Sequence, residues 1–416
     1  MASTSPARKR ILVGVGGGIA AYKVCSVIRH FTEAGHDVHV IPTAAALNFV
    51  GAATFEALSG HPVSTTVFDN VDEVAHVRLG QEADLVVVAP ATADLLSRAA
   101  TGRADDLLTA SLLTARCPVL FVPAMHTEMW EHPATQDNVA TLRRHGSTVM
   151  PPATGRLTGR DSGAGRLPDP GEIGLLGDLL LDDPDALPHD LAGVRVLISA
   201  GGTREPLDPV RYLGNHSSGK QGFSLARAAS ARGADVTLVA GSTNDAGDPA
   251  GVELVQINSA VELSDEMTKR AAESDVIIMA AAVADFRPVA VSDAKIKKGA
   301  AGPAPIELET NPDILAGLVQ ARGRGELAAD TVIVGFAAET GDENGGVLDH
   351  GRAKFERKGC DLLVVNPVGS GKAFGTEDNT GWLLSSAGTE TALPLTSKTL
   401  LASRILDALA PLLPQR

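Results

Sequence analysis

The chain is 416 residues long and 44% hydrophobic, which suits two or three domains with cores of ordinary size. A formal charge of −14 repels phosphate backbones and anionic headgroups, and 3% aromatic residues leave few rings for base stacking. A broad nucleic-acid or membrane footprint is therefore excluded, while local basic clusters can still bind small anions.

In chain order, Arg8-Lys9-Arg10 before an apolar run imitates a secretory signal. The run carries Gly14, Gly16, Gly17 and Gly18 and has no cleavage site, so secretion is not expected. No stretch approaches the roughly 18 uninterrupted apolar residues of a membrane span. Residues 11–15 read as a strand, 19–34 as a helix and 38–41 as a second strand. Buried strands follow at 85–89 and 119–122, with a helix over 105–115 between them. The Gly-rich stretch 154–171 is expected to form neither helix nor strand and to act as a mobile flap. Residues 172–181 read as helical, and 182–190, with Asp182-Asp183-Pro184 and Pro188-His189-Asp190, have linker chemistry. This places one domain at 1–181 and another at 191–416.

The alternation then restarts, with strands at 194–199, 235–240, 275–281, 331–336 and 361–365 and a helix at 218–232. Short, continuously apolar strands separated by helices imply parallel sheets covered on both faces. The expected fold class is α/β: two separate doubly wound, Rossmann-like parallel-sheet domains, with ligands beyond the carboxyl ends of the strands. Three scattered cysteines, Cys25, Cys117 and Cys360, make neither a disulfide framework nor a zinc ribbon. They point to a reducing, cytoplasmic setting.

Gly16-Gly17-Gly18-Ile19-Ala20-Ala21 follows the first strand and opens a helix, where backbone N–H groups can hold a phosphate. A dinucleotide site also needs a carboxylate at the end of the second strand, and that strand ends in Pro42-Thr43. The spelling favours a mononucleotide such as FMN over NAD; a glycine turn needed only for packing is the bland alternative. Pro90-Ala91-Thr92-Ala93-Asp94 and Pro123-Ala124-Met125-His126-Thr127-Glu128-Met129-Trp130 stand at the next two strand ends. His76 follows a loop that begins near Asp69, and a lone histidine is more often structural than catalytic. His126 and His132 lack the spacing of a zinc peptidase, so no metal is expected on them.

In the second half, Gly214-Asn215-His216-Ser217-Ser218-Gly219-Lys220-Gln221 satisfies half of a P-loop. Gln221 stands where Mg²⁺ needs Ser or Thr, and no buried strand directly precedes the loop, since the strand before it ends at Ser199, so this is not a Walker A site. Lys220 at a helix start still suits an anion. Lys295-Ile296-Lys297-Lys298 is the densest basic cluster and follows the segment 281–288 at a strand end, which favours triphosphate over a merely solvated charge run. Lys354 and Lys358, four residues apart, can share one helix face.

The first-half motifs, together with Gly102-Arg103-Ala104-Asp105-Asp106-Leu107-Leu108, resemble the flavin-dependent cysteine decarboxylases. The resemblance implies FMN between subunits of a trimer, its phosphate near Gly17, Gly18 and Thr43 and its ring near Pro90, Ala91 and Thr92. It makes His76 the active-site histidine and places substrate against His126, Met129 and Arg166. The chemistry needs a flavin: losing CO2 from a cysteine carboxyl leaves an unstabilised carbanion unless the thiol-bearing carbon is first oxidised to a thiocarbonyl electron sink. Two departures stand out. The family has Asn where this chain has His126, and the flap cysteine that donates a proton is replaced by Gly159. His126, Asp161 and water are the remaining candidate donors.

The second half, through residues 201–209, 215–220, 281–288, 295–298, Asn311-Pro312-Asp313-Ile314, Gly335-Phe336-Ala337-Ala338-Glu339-Thr340 and 354–366, resembles phosphopantothenoylcysteine synthetase. That resemblance implies CTP near Met279, Ala280, Ala281, Asp285, Lys295, Pro312, Asp313, Ile314, Leu315, Phe336, Lys354 and Lys358. It assigns Asn215 to the acyl-cytidylate, Lys295 to ligation and Lys220 to substrate, with Mg²⁺ on ligands the residues do not reveal. The whole chain thus resembles the bacterial bifunctional enzymes that ligate 4′-phosphopantothenate to L-cysteine and decarboxylate the product to 4′-phosphopantetheine. The family implies a homo-oligomer, a dodecamer built from trimeric decarboxylase and dimeric ligase contacts. A flavin-binding regulatory subunit and a flavin prenyltransferase share the first-half fold and are the competing readings.

Overall fold

The computed structural model describes residues 8–66, 75–157, 161–243, 247–297, 305–343, 345–369 and 375–414. The chain forms two compact units: Met1–His189 with the short pieces Ser230–Arg232 and Pro249–Gly251, and the remainder. Among the described residues no helix is long and apolar enough to cross a membrane.

The first unit has five parallel strands: β1 (Arg10–Val15), β2 (Asp37–Pro42), β3 (Leu85–Ala91), β4 (Val119–Pro123) and β5 (Thr148–Val149). Their order is β2-β1-β3-β4-β5. The central strand β3 is buried at every position, which is why its sequence runs apolar without alternation. Helix Ala21–Glu33 puts Val24, Val27, Ile28 and Phe31 into the core at helical spacing. The order in which strands are added reverses between the parallel neighbours β1 and β3, so the loops leaving these two strands part and open a crevice.

The stretch 154–171 is not without regular structure. It contains an antiparallel hairpin of β6 (Ala153–Arg156) and β7 (Ser162–Arg166), and helix Pro170–Asp182 begins before it ends. Glycine permits the hairpin rather than preventing it. Gly165 has φ near +150°, and a Cβ there would stand 2.2 Å from the Met125 carbonyl oxygen. The two backbones therefore meet directly, with Met125 N donating to Gly165 O at 2.9 Å. Gly159, with Thr158 and Arg160, lies outside the described residues, as do Asp69 and Lys298.

The second unit contains β8 (Arg195–Ala200), β9 (Arg204–Pro206), β10 (Tyr212–Gly214), β11 (Asp235–Ala240), β12 (Val252–Gln256), β13 (Val276–Met279), β14 (Phe286–Pro288), β15 (Leu308–Thr310), β16 (Val332–Glu339), β17 (Leu362–Pro367), β18 (Asp378–Ser385) and β19 (Glu390–Ser397). Its main sheet is ordered β12-β11-β8-β13-β16-β17-β18-β19, and β9–β10 and β14–β15 form separate two-stranded pairs. The sheet is parallel through β17, with the switch point between β8 and β13. It departs from the expected all-parallel form at one edge, where β18 and β19 run antiparallel. The cause is visible in β18, whose burial roughly alternates: an edge meander leaves one face toward water, which a parallel crossover does not. Such half-buried strands lack the apolar run by which the inner strands are read.

Candidate active sites

In the first unit the crevice between the β1 and β3 ends is a cavity of about 990 Å³. Gly17, Gly18, Thr43, Thr92, His126, Met129 and Arg166 all line it. A Cβ on Gly16 would meet the Pro90 carbonyl oxygen at 2.2 Å, and one on Gly17 would meet Ala45 Cβ at 2.4 Å. Both glycines are thus required by close packing. Gly18 differs: nothing lies nearer than 3.9 Å to its Cβ position. Thr43 Oγ1 donates to Val15 O and accepts from Ala46 N, both at 3.2 Å, tying the ends of β1 and β2 together. Thr92 caps helix Ala93–Ala100 by accepting from Leu95 N. Pro90 and Ala91 belong to the buried end of β3 and are not on the cavity surface; they form the wall behind the glycine turn.

The cavity's charged groups are Lys23, Arg98, Arg156 and Arg166, with Asp94 and Asp106. Burial, followed by the nearby Arg166, pushes the Lys23 ammonium below its ordinary pKa. Arg98 reaches Asp94 at 3.0 Å, Asp105 at 2.9 Å and Asp106 at 2.7 Å. Burial opposes its charge, but the hydrogen bonds to Asp106 and Asp105 outweigh that and hold its pKa above the ordinary value. Asp106 also caps helix Leu107–Thr114, accepting from Thr109 N at 2.8 Å. His126 stands before helix Thr127–Trp130 without capping it by its side chain, and it lines the cavity.

His76 is not brought to this cavity within one chain. It lies on helix Ala75–Glu82, its carbonyl accepts from Thr114 Oγ1, and its buried Nδ1 has no hydrogen-bond partner among the described residues. Cys25 and Cys117 are also absent from the cavity lining. The glycine cradle, the helix start behind it and the absence of a carboxylate at Thr43 suit a flavin mononucleotide, whose phosphate needs backbone N–H donors and whose ribityl chain needs no acidic clamp.

In the second unit a cavity of about 470 Å³ lies at the carboxyl ends of the sheet strands. Asn215, Lys220, Ala280, Ala281, Asp285, Phe336 and Lys354 line it, as do Asn366, Asn379 and Lys398. The Ala280–Asp285 segment is held from below: Ser199 Oγ accepts from Ala281 N at 3.2 Å and Thr203 Oγ1 accepts from Ala284 N at 3.0 Å. Asn311 Nδ2 donates to Ala284 O at 2.8 Å, and Asn215 Nδ2 to Val283 O at 2.9 Å. Lys354 pairs with Glu339 at 2.9 Å, and Lys220 pairs with Glu377.

Several expected nucleotide residues are not on this surface. Met279, Ile314 and Leu315 belong to the hydrophobic core. Pro312 is exposed, and Asp313 caps helix Ile314–Gly323 and pairs with Lys358, so the two lysines of one helix hold different partners. Lys295 lies in an exposed loop pinned at Ile296, whose N–H donates to Asp208 and whose carbonyl accepts from Arg211. Arg156 and Lys398 escaped the sequence reading. Arg156 sits in the stretch read as structureless, and Lys398 is a single lysine whose one local signal is the capping Ser397 before it.

Away from both cavities, Asp37 accepts from His61 at 2.8 Å and from His39 at 3.3 Å. The two imidazoles stack 4.1 Å apart, and Arg8 and Arg10 pair with the same carboxylate, so this group is a charge clamp on β2 rather than a cation site.

Two family models account for the two units: Flavoprotein over residues 2–175, and DNA/pantothenate metabolism flavoprotein C-terminal domain over residues 191–412. The chain is 67% identical over 407 residues to the coenzyme A biosynthesis bifunctional protein CoaBC of Mycolicibacterium smegmatis, covering 98% of each chain. It is 42% identical over 406 residues to the CoaBC protein of Vibrio cholerae, covering 97% of this chain and 98% of that one. The solved C-terminal domain of a CoaBC protein is 34% identical, with a TM-score of 0.43, covering 54% of this chain and 97% of its own. The chain belongs to the CoaBC family of bifunctional coenzyme A biosynthesis enzymes.

Proposed function

We propose that the second unit joins 4′-phosphopantothenate to L-cysteine with CTP and Mg²⁺, and that the first decarboxylates the resulting 4′-phosphopantothenoylcysteine with FMN. The observation that carries this is the pairing of two chemically different switch-point cavities on one chain. One is a large glycine-cradled crevice with Lys23, Arg156 and Arg166; the other is a smaller cleft lined by lysines, asparagines and one carboxylate. A regulatory subunit or a prenyltransferase has no use for the second.

In the ligase cleft, the substrate carboxylate attacks the α-phosphate of CTP and pyrophosphate leaves; cysteine's amine then displaces CMP to form the amide. Lys220 and Lys354 offset the negative charge gathered in the first step, and Asn215 can donate to the acyl-cytidylate. Backbone groups of the pinned Ala280–Asp285 segment, rather than the buried Met279 side chain, meet the pyrimidine edge. Asp285 with the triphosphate oxygens suits Mg²⁺, which takes one or two carboxylates beside substrate phosphates. Lys295, outside the cleft in the isolated chain, acts only if its loop closes over the nucleotide.

In the decarboxylase cavity, the helix start behind Gly17, Gly18 and Thr43 holds the flavin phosphate. Arg166 and His126 bind the substrate carboxylate, and Met129 packs beside it. Bound FMN supplies the oxidation of the thiol-bearing carbon and the later return of electrons. His76 serves in proton transfer from a neighbouring copy, since its own chain keeps it out of the cavity lining. This needs the homo-oligomer, with trimeric contacts at the decarboxylase and dimeric contacts at the ligase, giving a dodecamer.

The purified protein should be yellow and release FMN on denaturation. With 4′-phosphopantothenate, L-cysteine and CTP it should release pyrophosphate and then CO2. Equal rates with ATP would overturn the nucleotide assignment, and a colourless protein that still releases CO2 would overturn the flavin assignment.

A further inference from the structure

Two 12-residue helices, Lys220–Ala231 and Lys398–Leu409, begin at the second cavity, each with a lysine at its first position. Gln221 Nε2 donates to Lys398 O at 3.1 Å and ties the two starts together. Ser397 caps the later helix, accepting from Leu400 N at 3.2 Å. At the earlier one Gly219 takes φ +76°, and a Cβ there would lie 2.7 Å from Thr243 Cγ2, so that turn is also fixed.

Lys398 is only 6% exposed, yet it is among the residues that line the cavity. Its Nζ donates to the Thr376 carbonyl at 2.6 Å, one residue before the Glu377 that pairs with Lys220 from the rim. A buried ammonium is costly, and an aliphatic residue could have filled the same space against the core. Two helix N-termini and two lysines converging on one small cleft make a strongly positive point inside a protein of net charge −14. Burial, followed by the neighbouring Lys220, depresses the Lys398 pKa, and the charges of Glu377 and Asp378 oppose that shift without cancelling it.

We propose that Lys398 is a positioning residue for a phosphoryl group held where these two helices begin, acting through Lys220 and through the Thr376 carbonyl that it fixes. The inference rests on the ligase reading of this cleft. Both the terminal phosphate of 4′-phosphopantothenate and the triphosphate of CTP offer such a group, and the test separates them.

Initial rates of pyrophosphate release are measured for the full chain and for Lys398→Met, varying one substrate at a time, with circular dichroism and the thermal midpoint of each protein as the standard for folded enzyme. The expected result is a KM raised about tenfold or more for one phosphorylated substrate, with kcat changed less than about threefold and Lys398→Arg recovering most of the loss. The substrate whose KM rises identifies the phosphoryl group. Unchanged KM for both substrates, or a fall in kcat alone, would overturn the proposal. Should Lys398→Met fold poorly, Lys398→Gln is compared with wild type for protection by inorganic pyrophosphate and phosphate in thermal unfolding; equal protection by both anions overturns it as well. Failure of the wild type to release pyrophosphate would instead overturn the ligase reading, and the protection experiment would still judge Lys398.

Discussion

At the scale of single residues, the three glycines of the first turn have different duties. Gly16 and Gly17 are demanded by Pro90 and Ala45, whereas the space beside Gly18 is open. Gly18→Ala should therefore leave the thermal midpoint within about 2 °C of wild type, about 1 kcal/mol or less for a domain of this size, because its methyl group would make only an ordinary 3.9 Å contact with Thr92 Cγ2. If the flavin phosphate lies there, the same methyl group should strip most FMN from the purified protein. A variant that keeps full flavin content would move the phosphate elsewhere. The cysteines answer a second question. Burial raises the pKa of Cys25 and pushes that of Cys117 up to about 11, and neither lines the cavity. Changing both to Ser should leave CO2 release and the final reduction within about tenfold, an effect of 1.4 kcal/mol or less. Accumulation of the oxidised ene-thiol in that double variant would show that a cysteine is the donor after all. His126 remains the titratable group placed in the cavity at the position the resemblance gives to Asn.

At the scale of elements, helix Ala21–Glu33, which carries the turn, is anchored to helix Pro170–Asp182 by His30 Nε2 and Asp178 Oδ2 at 2.8 Å. The Asp178 hydrogen bond raises the His30 pKa, outweighing burial, which lowers it. A histidine whose folded pKa is raised contributes stability that is fully present below its unfolded value, about 6.5, and lost as pH rises through the folded value. Resistance of the first unit to urea should accordingly decline from about pH 6 to about pH 8, and Asp178→Asn should flatten that slope. Both side chains are partly exposed, so the effect is a fraction of what a buried pair would give. A slope that is the same in the variant would assign the pH dependence to other groups. The hairpin β6–β7 makes the complementary point: it is held by backbone bonds and glycine geometry, and it places Arg156 and Arg166 at the cavity, where no side-chain pattern announced a strand.

At the scale of the whole molecule, two units with separate cavities imply separable chemistry. His76→Asn should leave pyrophosphate release unchanged while CO2 release falls at least about a hundredfold, the usual loss of a proton-transfer group, and phosphopantothenoylcysteine should accumulate. Mixing it with a second variant inactive at the cavity, such as Arg166→Ala, should restore part of the activity if His76 serves a neighbouring copy. No restoration in verified mixed oligomers would place its action within its own chain.

By itself the sequence determined the α/β alternation, because buried parallel strands must be continuously apolar and their helices amphipathic. It also determined the glycine turn, the non-dinucleotide ending at Thr43 and the lysine of the second cleft, because these are local requirements of backbone and charge, whereas Asn215 was implied only by the family resemblance. The antiparallel edge β18–β19, the glycine hairpin and the buried place of Lys398 were decided only by tertiary structure. Each depends on which distant backbone lies alongside, and pairing between strands or between helix starts leaves no period in the residues themselves. The same reason separates the expected nucleotide residues. Asp285 and Lys354 face the cleft, while Met279, Ile314 and Leu315 turn into the core, since a motif names neighbours in sequence and the packing of helices on a sheet chooses which of them face a ligand.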